Sequence, residues 1–166
     1  MPSSQPFGPP RPPFMGWPVQ LADPRLGYLW FVAPNVLVTQ AHIAHASVEA
    51  AHAVHDWIDR VHASRRADID RGGGLVCVHD WRLLGGYEAS ARRVYQERMR
   101  ARPKGYLKTA YTIVPSTPLL RMAVEAGNLA AQLGSGGRVV LATDPASVLA
   151  KLDLHAPPAG ERFPGS

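Results

Sequence analysis

The sequence predicts an α/β fold built on one mixed sheet, opening with an antiparallel hairpin and continuing as β-α repeats in the order β-β-α-β-α-β-α-β-α. Three observations point there. Short runs of aromatic and β-branched residues alternate with longer runs of helical period. The first two strand-like runs are separated only by a proline turn, which makes them an antiparallel pair. Every later strand-like run is followed by a helical one, so most of its neighbours should be parallel, with right-handed crossovers.

Taken in order, Leu26–Val32 (LGYLWFV) reads as the first strand, Pro34-Asn35 turns the chain, and Val36–Gln40 (VLVTQ) resumes with alternation. From about Ala44 to Ser64 the period becomes helical, with Ile43, Ala50, Val54, Trp57, Ile58 and Val61 on one face. The glycines after RRADIDR end that segment. Leu75–His79 (LVCVH) is apolar enough for a strand buried on both faces. The loop Asp80–Tyr87 leads into a helix over Glu88–Arg102, and Tyr106–Val114 is the next strand. Pro118 suits a first helical position, opening a helix over Leu119–Leu133 with Gly134 as its stop. Arg138–Ala142 is the last strand, and Asp144-Pro145 starts a final helix over Ala146–Leu152.

A chain of 166 residues with 46% hydrophobic content suits one domain with a real core. Eight prolines fall in the first 24 residues, and APPAGERFPGS closes the sequence. The expected organisation is a Pro-rich disordered tail over 1–24, an α/β domain over 25–155 and a second tail over 156–166. PFGPPRPPF within the first tail has the spacing of a polyproline II segment that docks on aromatic grooves. The single Cys77 forms no internal disulfide and sits in an apolar run, as a small buried residue does. No apolar stretch reaches the roughly 18 residues of a membrane span, and no charged-then-apolar leader opens the chain, so a cytoplasmic protein without membrane partners is expected. The net charge is +5, but Arg60, Arg65, Arg66 and Arg71 are interleaved with Asp56, Asp59, Asp68 and Asp70. That pattern reads as solvated surface rather than a nucleic-acid face.

The stretch VCVHDWRLLGGYEAS, Val76–Ser90, is where chemistry would be sought. Asp80 at a strand end resembles a phosphoacceptor position, but AHIAH after the earlier strand offers no acids to hold magnesium. Gly85-Gly86 lacks the Lys-Ser/Thr of a P-loop and the third glycine of a dinucleotide fingerprint. Asp80 therefore reads as a strand end and the glycines as a turn, with no catalytic residue and no enzyme expected.

A second pattern lies on the first helix. If that helix begins near Ala44, then His42, His45, Glu49 and His52 fall within an arc of about 80°. Imidazoles and a carboxylate at that spacing could hold a metal, and EAAH matches one half of a di-iron carboxylate motif, though the sequence holds only one copy. The alternative function is thus a metal-binding protein or metalloenzyme using this face. A twin packed on the same face would make a homodimer.

Several stretches together carry a resemblance: LWFVAPNVLVTQ, the Ala-rich helix after it, VCVHDW, the arginine-rich helix, PLLRMAVEAGNLA and ATDPASVLAKL. Over roughly Leu26–Leu152 the chain resembles the STAS domain of anti-sigma-factor antagonists and sulfate-transporter tails, and in particular STAS-like proteins of myxobacterial type. The resemblance implies a non-enzymatic regulatory or scaffold module in signal transduction, without cofactors. Such a module acts by protein–protein interaction with a regulatory protein: a kinase, an anti-sigma-like protein or a signalling complex. In anti-sigma-factor antagonists an Asp-Ser-Ser-Gly motif follows the third strand, and a serine in it is phosphorylated. Placing Asp80 at the strand end sets Glu88-Ala89-Ser90-Ala91 over that motif; one acid and one serine correspond, while the second serine and the glycine do not. The resemblance therefore implies a partner-binding surface of Asp80, Arg82, Tyr87, Glu88 and Ser90, with Ser90 as the phosphoacceptor.

Overall fold

A hairpin hydrogen-bonded edge to edge with a parallel array forms the centre of the molecule. The computed structural model describes residues 6–166. Its main sheet has six strands in the order β1-β2-β3-β5-β7-β8. The strands are β1 Leu21–Asp23, β2 Gly27–Val32, β3 Val36–Ala41, β5 Leu75–Asp80, β7 Leu107–Ile113 and β8 Arg138–Leu141. The pairs β1–β2 and β2–β3 are antiparallel, and β3–β5, β5–β7 and β7–β8 are parallel. Four helices complete the fold: α1 Val48–Arg71, α2 Ala89–Arg100, α3 Pro118–Leu133 and α4 Pro145–Lys151. The predicted α/β class with an antiparallel opening and a parallel continuation is the fold observed.

Period-two alternation in the sheet feeds two cores. Leu29, Phe31, Leu37, Cys77 and Ala110 point toward a cluster completed by Val54, Trp57, Ile58 and Val61 of α1, Met99 of α2 and Ala130 and Ala131 of α3. Tyr28, Trp30, Val38, Val78 and Tyr111 point the other way, toward Val148 and Leu149 of α4. Burying a large apolar side chain stabilises the fold by about 1.5–3 kcal/mol, so both faces must be covered.

What covers the second face corrects the expected tails. Phe14 is fully buried there, stacked on Trp30 at 5.2 Å and edge-on to Trp17 at 5.0 Å. The Trp30 Nε1–H donates to the Pro18 carbonyl at 2.8 Å. Prolines do not prevent packing here: two tight turns, Phe14 N–H to the Arg11 carbonyl at 2.9 Å and Trp17 N–H to the Phe14 carbonyl at 3.1 Å, bring Phe14 and Trp17 onto the sheet, where Phe7 also packs. Similarly, Phe163 in the closing segment is buried edge-on against Trp57 at 5.4 Å. Described residues of both segments are therefore part of the core; residues 1–5 of the predicted tail lie outside the described residues.

Three short strands were not legible in the sequence: β1, β4 His45–Ala46 and β6 Gly86–Tyr87. The last two pair with each other in a small parallel ribbon. Helix α1 also differs from expectation. Ser47 is its cap, its hydroxyl accepting from the Ala50 N–H at 3.1 Å, and it continues past Ser64 to Arg71 with a kink at Arg65. Gly27 holds φ +148, and a Cβ there would stand 2.1 Å from the Gln40 carbonyl, so the hairpin needs glycine at that point.

Candidate functional site

The junction after β5 is built, but much of it faces inward. Asp80 is fully buried. Its carboxylate accepts from Arg82 Nε at 2.7 Å and Nη2 at 2.9 Å, and from Gln40 Nε2 at 2.9 Å. Arg82 Nη2 also donates to the Pro12 carbonyl at 2.6 Å, while Gln40 Oε1 accepts from the Arg11 N–H at 2.8 Å. Asp80, Arg82 and Gln40 thus form a clasp that holds the leader over the carboxyl ends of β3 and β5. Both carboxylate oxygens are hydrogen-bonded, Oδ1 also facing the Arg82 N–H at 3.5 Å, so the buried Asp80 is committed to the clasp.

The other junction residues divide. Glu88 Oε2 accepts from the Val48 N–H at 3.1 Å, filling a free donor at the start of α1. Tyr87 is half-buried, and Ser90 is exposed in the first turn of α2. Of the five residues predicted as one partner surface, Ser90 is the one that is exposed without a structural task.

The four predicted metal ligands are not brought onto one helical face, because α1 begins at Val48. His42 lies before it and packs against Phe7 and Tyr28, with its Nε2 at 3.1 Å from Gln40 Oε1. His45 belongs to β4, Glu49 to the first turn of α1, and His52 stands 3.3 Å from Arg98 Nη1. Among the described residues, no group of three His, Cys, Asp or Glu side chains is placed to hold a metal ion. The polar side of α1 faces α2: Arg98 pairs with Asp56 at 2.6 Å and Asp59 at 2.8 Å, and Arg102 with Asp59 at 2.6 Å. The charges of that face are thus tied to Arg98 and Arg102 while still open to solvent, Asp56 at 45% and Asp59 at 48% exposure.

Two features were missed by sequence reasoning. The first is a cavity of about 130 Å³ between the sheet and α1, α2 and α3. Its polar lining includes His55, His79, Tyr95 and Thr112, and the rest is largely apolar, with Trp81 and Leu84 among it. His79 is held by a 2.8 Å contact between Nδ1 and Thr39 Oγ1 and stacks on Trp81 at 4.5 Å. Burial lowers its pKa to about 3 and that of His55 well below the ordinary value, so both rings are neutral. Burial likewise pushes the Cys77 thiol up to about 12, which leaves it protonated and unreactive. One sequence signal was present: His55 sits between Val54 and Ile58, on the apolar side of the predicted helix.

The second feature is on α3. Leu119, Met122, Leu129 and Leu133 are 51, 63, 55 and 62% exposed, and they fall at positions 1, 4, 11 and 15 of one helical stripe. Ala126 completes the spacing. Beside it, the N–H of Val139 in the edge strand β8 donates to Asn128 Oδ1 at 2.9 Å.

No protein-family model, curated protein or solved structure matches the chain.

Proposed function

We propose that the chain is a non-enzymatic regulatory module that works by protein–protein contact, that α3 is its contact surface, and that a second copy of the chain is the partner there. The apolar stripe of α3 carries this reading. Four large side chains more than half exposed on one helix form a patch of the kind that monomeric surfaces rarely leave open. Charge favours a copy. The chain has net charge +5, yet α3 carries one cation, Arg121, and one anion, Glu125. Two positive molecules can therefore approach through α3 without like-charge repulsion, and a two-fold pair needs only one self-complementary patch. The hydrogen bond from Val139 to Asn128 occupies an edge N–H of β8, which favours helix packing over strand addition.

The STAS-like character implied by the sequence fits the same reading, with Ser90 as the site of a phosphate switch. Its exposed position in the first turn of α2 suits an added negative charge, through the helix dipole. Ser90→Asp is expected to leave the melting temperature nearly unchanged while altering self-association or the affinity of a reconstituted signalling partner; equal affinity for both forms would remove the switch.

Sedimentation equilibrium tests the contact itself. The chain should dimerise in the micromolar range, and Met122→Lys combined with Leu129→Lys should yield a monomer with an unchanged melt, because both positions are exposed. A wild-type monomer at 100-fold higher concentration, or a dimer that survives both lysines, overturns the proposal.

A further inference from the structure

Two residues that line the cavity beneath α2 and α3 carry buried polar atoms with no hydrogen-bond partner among the described residues. His55 is 2% exposed, and its Nδ1 lies 2.9 Å from Arg102 Nη2. A guanidinium only donates, so Nδ1 accepts; a neutral ring must then carry its proton on Nε2. That Nε2–H is buried without a partner. The Tyr95 hydroxyl is also buried without a partner, and the two rings meet edge to face at 4.7 Å. Two unsatisfied hydrogen-bonding groups side by side cost about 1–3 kcal/mol each unless something fills them.

We propose that this cavity binds a neutral, single-ring apolar molecule bearing one hydrogen-bonding oxygen, phenol being the simplest, with His55 Nε2–H donating to that oxygen and the Tyr95 hydroxyl as its second partner. Size, polarity and charge each narrow the ligand class. An engineered apolar cavity of about 150 Å³ admits benzene, and this one is about 130 Å³. Trp81, Leu84, Met99 and Val124 line it and suit a ring. Of the two arginines in its lining, Arg102 is already paired with Asp59 and Arg92 is solvent-exposed, so a charged ligand seated on His55 would lose its water without a buried, free counter-charge. Gly127 of α3 also lines the cavity, and a Cβ built there meets nothing within 4 Å. An α3 residue can therefore reach into the space.

Calorimetry and thermal melts of the full chain with phenol, benzene and benzoate form the test. Phenol should bind and raise the melt, benzene should bind roughly tenfold more weakly for want of the oxygen, and benzoate should not bind. Tyr95→Phe should narrow the gap between phenol and benzene without lowering the melt. Gly127→Leu should abolish the phenol response while keeping the fold, since leucine is the better helix former. No response to phenol at millimolar concentration would mean that ordered water fills the site and would overturn the proposal. Equal affinity for phenol and benzene, or phenol binding that survives Gly127→Leu, would overturn it as well.

Discussion

His79 and His55 carry much of what single residues contribute to acid stability. Each is neutral in the fold and free to protonate in the unfolded chain, where its pKa returns to about 6.5. The native pKa values are depressed, so their stabilising effect is complete above about pH 6.5. It is lost as pH falls toward the native value of about 3 for His79. The proton His79 takes up on unfolding gives a slope of about 1.4 kcal/mol per pH unit below about pH 6, and His55 acts in the same direction. Denaturant titrations at pH 7, 6 and 5 should show this loss, and His79→Gln should flatten it. An equal midpoint at pH 7 and pH 5 would contradict the neutral, buried assignment. At the same scale, Asp80 shows how one residue type at a strand end can suggest chemistry and serve structure. Its buried carboxylate is matched by Arg82 and Gln40; removing Arg82 would leave a buried charge uncompensated, and removing Gln40 would leave an oxygen short of a donor.

Among the elements, the leader departs furthest from its composition. PFGPPRPPF suggests docking on aromatic residues, but a proline-rich stretch without periodicity gives no sign that the surface is this chain's own Tyr28 and Trp30. Phe14→Ala should cost about 3–5 kcal/mol, a large part of the stability of a domain this size. Urea denaturation measures it, and an unchanged midpoint would restore the picture of a dispensable tail. Strands β2, β3, β5 and β7 and helices α2, α3 and α4 were legible because pattern, turn residues and length agreed there. β4 and β6, two residues each, carry no period and form only because the chain on either side brings them together. The start of α1 was misplaced because Ala44 and Ala46 suit a helix, whereas the Ser47 cap places its first residue at Val48. That shift of a few residues dispersed the four expected metal ligands. The candidate cavity was less legible still, since His55, His79 and Tyr95 lie on three separate elements and converge only through sheet order.

For the molecule as a whole, the sheet separates two kinds of cover. Helices α1, α2 and α3 overlie one face with the cavity beneath them; the leader and α4 overlie the other. The clasp on the leader has a consequence for biosynthesis. Arg82 grips Pro12 across 70 positions of sequence, and the face that Phe14 closes also needs Val148 and Leu149. The surface that Phe14 packs into is therefore complete only when Val148 and Leu149, about 135 positions further along, are in place. At about 5–20 residues per second, synthesis of that span takes about 7–27 seconds. Until then Phe14 and Trp17 have Trp30 beside them but lack the α4 side of their cover, so this face is closed by contacts of long sequence separation.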